Sequence, residues 1–187
     1  VNEPIQRSWM FNDPFFNLQD EDVIIDHDID EIIYKSSYPT LLQQLQEKKH
    51  PLGLRLHQFF FTHTYLWTDC SFSSPTIYTY GMVKPITKKI KGLHIKNLRD
   101  LPERYKTKNI FGCHMSWIMP VEYMIKKLHS YSHPEYRSFA DKERLQQAIN
   151  DKKYIFDPQR SFTIEELALQ DKRIPTYLQQ KNIFEYL

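Results

Sequence analysis

The spacing of apolar and polar residues along the chain predicts alternating strands and helices. An apolar run, Val-Ile-Ile, predicts a buried strand over residues 22–26. Residues 52–61 alternate and then become fully apolar, as a strand entering a core does, and residues 76–83 are rich in β-forming residues. Helices are predicted at residues 7–18, 36–49, 120–131 and 139–152. We therefore expect an α/β fold.

Two further stretches carry local signals. Thr163-Ile-Glu-Glu166 has the residue types of a capping box, which predicts that a short helix begins there. Residues 84–108 are rich in Lys and Arg, and we interpret them as a solvated connector, with attraction of an acidic or phosphorylated ligand as the alternative. The chain shows no repeat and no clear linker, so residues 1–187 are predicted to form a single domain.

Composition narrows the classes of protein to consider. The chain has 187 residues, of which 41% are hydrophobic, so it is long enough to bury a core. A net charge of +2 gives no electrostatic case for a nucleic-acid partner. Aromatic residues make up 14% of the chain. We interpret this surplus as a stacked core, with sugar-binding platforms as the alternative.

The sequence gives little guidance on compartment. No run of about 18 apolar residues is present, so no membrane span is predicted. No signal peptide is visible. Cys70 and Cys113 are too few for a disulfide framework and lack the spacing of a zinc site, although a single bridge between them stays open.

An acidic cluster directly follows the first predicted strand. Asp26, Asp28, Asp30 and Glu31 place four carboxylates within six positions. In open α/β sheets, the carboxyl ends of strands form the edge where ligands bind. Because like charges repel at this spacing, a cation is needed to offset them, and oxygen ligands favour hard ions such as Mn²⁺ or Mg²⁺. The cluster therefore predicts a metal site and phosphate chemistry.

Known acidic motifs fit this cluster to different degrees. A calcium loop of the EF-hand type fails, because Glu31 and Ser37 stand where Gly and Glu are required. In a haloacid-dehalogenase-like phosphatase Asp26 would be the nucleophile, but Asp30 stands where a small Thr or Val belongs. Asp28-Ile29-Asp30 matches the Asp-x-Asp motif of nucleotide-sugar transferases, which hold a divalent ion on the donor diphosphate. The structural alternative is an exposed acidic loop that caps the next helix.

A second cluster follows much later, with Gly112, His114, Ser116 and Trp117 ahead of Glu122 and Lys127-Leu128. Together with Asp-x-Asp-Glu-Ile at residues 28–32 and Pro-Thr-Tyr-Leu at 175–178, it resembles the glycosyltransferase family of β-1,4-mannosyl-glycoprotein β-1,4-N-acetylglucosaminyltransferase (the bisecting GlcNAc transferases, family 17). The resemblance runs from about residue 22 to the C-terminus. Cys113 and Ile33 depart from the family's Trp and Pro.

The resemblance implies a GT-A-like α/β fold with a mixed sheet flanked by helices. It also implies a metal site of Asp28, Asp30 and His114 for Mn²⁺ or Mg²⁺. Lys127 would contact the donor diphosphate together with Asp28 and Asp30. Family members carry a longer N-terminal part, whereas only about 20 residues precede the strand here, so we expect an N-terminally shortened fold.

The same resemblance implies roles in transfer to the acceptor. Glu122 is the candidate general base of an inverting transferase, with stabilisation of a helix N-terminus as the alternative. Glu31, Trp117 and His133 are candidates for substrate binding. For Trp117 core packing explains the residue equally well, and for His114 a hydrogen-bonded core histidine is the alternative.

We therefore expect a metal-dependent inverting glycosyltransferase that moves a sugar, by resemblance GlcNAc, from a UDP-sugar to a glycan hydroxyl. The expected partners are a nucleotide sugar and a glycan acceptor. One alternative is a catalytically silent glycan-binding relative, and another is the phosphatase that uses Asp26. An animal-type enzyme would work in the Golgi lumen, and a bacterial or viral one in the cytoplasm.

Overall fold

A computed structural model describes residues 17–89, 105–130, 133–157 and 159–179. The strands are β1 (Val23–Asp26), β2 (Glu31–Ile33), β3 (Leu52–Phe60), β4 (Tyr65–Phe72), β5 (Thr76–Thr79), β6 (Tyr105–Ser116) and β7 (Ile164–Glu166). The α-helices are α1 (Tyr38–Lys48), α2 (Tyr80–Lys89), α3 (Val121–Ser130), α4 (Lys142–Asn150) and α5 (Thr176–Gln179). Short 3₁₀ helices span Lys35–Ser37 and Pro134–Phe139. The chain is thus α/β, with a mixed sheet flanked by helices.

The strands pair in an order that departs from chain order. The hydrogen-bonded path is β1-β5-β3-β4-β7, and β6 pairs with both β2 and β3. The pairs β1–β5, β3–β5, β3–β4 and β4–β7 are antiparallel. The register of β3 against β4 shifts between His57 and Gln58, so a bulge interrupts this ladder.

The chain groups into two compact units. Among the described residues, the first comprises 17–55, 73–89 and 105–111, and the second comprises 56–72, 112–130, 133–157 and 159–179. Strands β3 and β6 each contribute residues to both units. The prediction of a single domain stays a prediction.

The first unit is built around the apolar stripe of α1. Leu41 and Leu45 are one helical turn apart and pack, nearly fully buried, with the residues Leu52, Leu54, Ile77 and Phe111 of three strands. Pro39 lies in the first turn of α1, where its missing N–H costs nothing. A smaller cluster joins Ile24 of β1 to Tyr78 and Val83. These contacts hold β1 in place, and β1 carries the acidic cluster.

The second unit has an aromatic core. Its buried residues include Phe60, Trp67 and Trp117, which pack with the apolar face of α3. Tyr154 and Phe162 surround Phe60 and Trp67, with ring centroids 4.9–5.6 Å apart. Most of these pairs are tilted or edge-to-face, the arrangement that the ring quadrupole favours. This packing fits the interpretation of the aromatic surplus as a core.

Several sequence-based expectations are confirmed and others are wrong. The strands at 22–26 and 52–61 and the helices at 36–49, 120–131 and 139–152 are present within a few residues. The capping-box prediction is wrong, because Ile164–Glu166 is strand β7. Residues 76–83 form a strand only to Thr79, after which α2 begins. The predicted helix at 7–18 and residues 90–104 of the basic segment lie outside the described residues, apart from 17 and 18.

No helix among the described residues is long and apolar enough to cross a membrane. Cys70 is half-buried and Cys113 is buried, and no disulfide joins them.

Candidate functional site

The predicted Asp-x-Asp motif lies on a turn between β1 and β2. Asp28 and Glu31 close this turn from both directions. The Glu31 N–H donates to the Asp28 carbonyl oxygen at 3.0 Å, and the Asp28 N–H donates to the Glu31 Oε2 atom at 2.7 Å. Glu31 is only 1% exposed, so its carboxylate accepts this hydrogen bond inside the protein. This placement makes Glu31 a support for the motif, while its predicted substrate role stays a prediction.

The tip of this turn is open to solvent. Ile29 is fully exposed, and Asp28 and Asp30 on either side of it are half-buried. The His27 Nδ1 atom lies 2.8 Å from the Asp28 carbonyl oxygen and adds a contact to the backbone of the turn. One fixed turn therefore presents two carboxylates within reach of a ligand.

Asp26 occupies a different position from the two motif carboxylates. It ends β1 opposite Thr76 of β5 and is half-buried. Burial, and secondarily the nearby Asp26 charge, raise the pKa of Tyr78 well above its ordinary value. Asp26 is thus close to a buried phenol, at the end of the strand rather than on the turn.

His114 lies on β6 and is held by two neighbours of the second unit. Its Nδ1 atom is 2.8 Å from Oε1 of Gln58, which is 4% exposed. Its ring stacks on Phe72, with the centroids 3.9 Å apart and the planes 28° apart. Sequence analysis singled out His114 but missed Gln58, because a glutamine inside a strand gives no local signal.

Trp117 and Lys127 contact each other. Trp117 directly follows β6 with a left-handed backbone (φ 59°), and it is only 4% exposed. The Lys127 Nζ atom lies 4.6 Å from the centre of the Trp117 ring, and Phe156 packs on the same residue at 5.1 Å. The burial of Trp117 fits its interpretation as a core residue, which was open at the sequence level.

Glu122 has the surroundings of a surface ion pair. It lies in the first turn of α3, and its Oε1 atom is 3.0 Å from the Lys142 Nζ atom. The hydrogen bond from Lys142 lowers the pKa of Glu122. A general base works best with a pKa near the working pH, so this environment gives Glu122 no added basicity. It matches the alternative interpretation, stabilisation of a helix N-terminus.

His133 lies on the surface ahead of a 3₁₀ helix. Its Nδ1 atom is 2.9 Å from Oε1 of Glu135, and its ring packs on Tyr136 at 5.7 Å. Half of the His133 side chain is exposed. It is therefore accessible to a ligand, and its predicted substrate role stays a prediction.

The predicted site residues fall into different units. Asp28, Asp30 and Glu31 belong to the first, whereas His114, Trp117, Glu122, Lys127 and His133 belong to the second. Across the described ranges, no three His, Cys, Asp or Glu side chains are grouped to hold a metal ion. Mg²⁺, however, commonly takes one or two protein carboxylates and completes its shell with substrate phosphates and water. Asp28 and Asp30 are the two carboxylates that would make up this smaller donor set, and His114 stays a predicted ligand.

Comparison of the chain with protein-family models, with curated proteins and with solved structures gives no match. The resemblance to the bisecting GlcNAc transferases therefore rests on the motifs alone.

Proposed function

We propose that the chain is a metal-dependent inverting glycosyltransferase of the GT-A-like type, which moves a sugar from a UDP-sugar to a glycan hydroxyl. The observation that carries the proposal is the turn after β1. There the buried Glu31 accepts a hydrogen bond from the Asp28 N–H, and Asp28 and Asp30 both lie half-buried on this turn. By resemblance the sugar is GlcNAc.

The two carboxylates are proposed to hold Mn²⁺ or Mg²⁺. When bound, the ion would supply Lewis-acid stabilisation of the diphosphate that leaves with the nucleotide. What supports this proposal is pre-organisation of the turn. The hydrogen bonds between Asp28 and Glu31 hold its backbone conformation without a ligand. A site held in this way loses less conformational entropy on binding than a mobile loop would.

The roles proposed for the other residues differ in their support. Lys127 is a half-buried cation, which suits a diphosphate, although its Nζ atom lies over the Trp117 ring. Glu122 stays the proposed base on motif grounds, and it would have to leave Lys142 to act.

The test is calorimetric titration of UDP and UDP-GlcNAc into the chain, with and without Mn²⁺. The Asp28→Asn/Asp30→Asn variant removes two charges from the turn. A Glu21→Gln/Glu143→Gln variant removes the same charge from two exposed positions and serves as the matched control. We expect Mn²⁺-dependent binding in the wild type and the control, and its loss in the Asp variant.

Equal binding by both variants would refute the role of the turn, and an absence of binding in the wild type would refute the proposed donor. Binding without transfer to any glycan acceptor would favour the silent relative. Turnover of a simple phosphomonoester that is abolished by Asp26→Asn would favour the phosphatase instead.

A further inference from the structure

A cavity of about 220 Å³ lies beside α4 in the second unit. Every residue that lines it belongs to the contiguous segment 139–155, so the cavity is complete within this one stretch of chain. Helix α4 contributes part of the lining, and the residues just before and just after the helix contribute the rest. The apolar members of the lining are Phe139, Leu145, Ala148, Tyr154 and Ile155.

Backbone hydrogen bonds fix the way in which the chain leaves α4. The Lys153 N–H donates to the Ala148 carbonyl oxygen at 2.8 Å, and the Lys152 N–H donates to the Ile149 carbonyl oxygen at 3.2 Å. Lys152 has a left-handed backbone (φ 51°). These are the features of a Schellman motif at a helix C-terminus. The residues after the helix are thus held in place without a ligand, and a pre-formed cavity binds at a lower entropic cost.

The side chains of the lining favour an apolar ring. Leu145 and Ile155 are buried, whereas Phe139, Ala148 and Tyr154 are half-buried. An apolar cavity of about 150 Å³ is large enough to bind benzene, so this one has room for a six-membered ring and a small substituent. A sugar ring suits the cavity less well, because its hydroxyl groups would need hydrogen-bond partners that an apolar lining does not provide.

The charged residues of the lining, Arg144, Asp151 and Lys153, are exposed. The Asp151 Oδ1 atom accepts a hydrogen bond from Gln147 at 2.8 Å, and its Oδ2 atom lies 3.6 Å from the Lys153 Nζ atom. Arg144 lies instead over the ring of Phe139, with its Cζ atom 4.2 Å from the ring centre, and no described carboxylate forms an ion pair with it. A guanidinium placed over a ring keeps its in-plane N–H donors for a planar anion.

We propose that this cavity binds a small aromatic monocarboxylate. The ring lies in the apolar lining, and the carboxylate accepts hydrogen bonds from the Arg144 guanidinium, whose planar fork matches it. The two cations and one carboxylate of the lining leave a single positive charge, which one anionic group neutralises. A phosphate dianion suits the site less well, because Asp151 would repel it. The inference is independent of the proposed function, since it uses no residue of the acidic turn.

The probe is phenylacetate, titrated into the full chain and followed by two-dimensional ¹H–¹⁵N correlation of the backbone amides. We expect saturable shifts centred on residues 139–155. The uncharged 2-phenylethanol has nearly the same size and should bind about tenfold more weakly, because it lacks the charged hydrogen bond. Phenyl phosphate, which is mostly a dianion at about pH 7.5, should also bind more weakly than phenylacetate.

Two variants test the charge and the cavity separately. Arg144→Gln should weaken phenylacetate binding about tenfold and leave 2-phenylethanol binding nearly unchanged. Arg137→Gln removes the same charge from an exposed position outside the cavity and is the matched control. Ala148→Leu fills the cavity and should abolish binding of both compounds, whereas Gln146→Leu places the same side chain on an exposed position of α4 and should not. Thermal unfolding checks each fold, and the comparison of compounds in the wild type decides where a variant does not fold.

Several outcomes overturn the inference. An absence of saturable shifts in residues 139–155 of the wild type removes the site, and phenylacetate binding that survives Ala148→Leu places the compound elsewhere. Equal affinity for phenylacetate and 2-phenylethanol removes the role of Arg144. Tighter binding of phenyl phosphate replaces the carboxylate by a phosphate. A chain that binds no UDP, by contrast, leaves the inference unchanged.

Discussion

Replacement of His63 by Leu should stabilise the protein. His63 lies in the turn between β3 and β4 and is 7% exposed. Both of its ring nitrogens are buried, and within the part of the chain that the structure describes neither has a hydrogen-bond partner. Leu has a similar volume and no polar side-chain atoms, so it fills the site without burying a polar group that lacks a hydrogen bond.

The size of the effect follows from the cost of a buried polar group without a partner, about 1–3 kcal/mol. We expect His63→Leu to raise the free energy of unfolding by an amount in this range. For a chain of this length, each kcal/mol raises Tm by about 2–4 °C. His63→Gln keeps polar atoms at the same place and should not stabilise, which makes it the matched control.

The pH dependence gives a second signature. Burial lowers the pKa of His63 from its ordinary value of 6.5. Below that value the unfolded chain binds a proton that the folded chain does not, so stability falls as the pH falls toward the folded pKa. The His63→Leu variant lacks this titrating group. The amount by which its free energy of unfolding exceeds that of the wild type should therefore increase as the pH falls from about 8 to about 5.5.

The assay is chemical denaturation of wild type, His63→Leu and His63→Gln at several pH values, followed by circular dichroism. The reasoning fails if His63→Leu unfolds at a lower denaturant concentration than the wild type and the two show the same pH slope. Such a result would mean that the ring nitrogens have a partner in solution.

Three other predictions concern the turn, an ion cluster and a thiol. Glu31→Ala should cost about 1.5–3 kcal/mol because the Asp28 N–H loses a charged acceptor, while Glu31→Gln should cost less, as denaturation midpoints would show. Hydrogen bonds from Arg173 lower the pKa of Asp171 to about 2, so this pair stabilises the fold above pH 3.8 and is lost as the pH falls toward 2. Asp171→Asn should therefore flatten the dependence of Tm on pH in that range; an unchanged slope would contradict it. Burial raises the pKa of Cys70, so Ellman's reagent should modify it far more slowly in the native protein than in the unfolded one.

Elements with strong apolar periodicity were predictable from the sequence. Helix α1 and strand β1 bury contiguous or regularly spaced apolar residues, and local pattern alone identifies them. Strand β6 was missed because its first half carries exposed Lys106, Lys108 and Asn109, which look like part of a basic connector. Only pairing with distant strands makes this segment extended.

The capping-box error has a similar cause. Thr163 to Glu166 has the right residue types for a helix start, but the segment pairs with Tyr65–Trp67 of β4 as a strand. Its two carboxylates do not cap a helix. Glu165 accepts hydrogen bonds from both terminal nitrogens of the Arg173 guanidinium, and Glu166 forms an ion pair with Lys152. Tertiary pairing therefore overrides a local preference that is weak in energy.

The residues of the candidate site differ in the same way, because some depend on sequence neighbours and others on residues far away in the chain. Asp28 and Asp30, the proposed metal pair, both lie within the contiguous residues 28–31, whose turn is closed by hydrogen bonds between Asp28 and Glu31. An imidazole has two different nitrogens, and its local sequence does not choose between them. The His114 Nδ1 atom lies 2.8 Å from the Oε1 atom of Gln58, which stands 56 positions earlier in the chain. The acidic turn can thus be found from the local sequence, whereas the contacts of His114 are defined only by the fold.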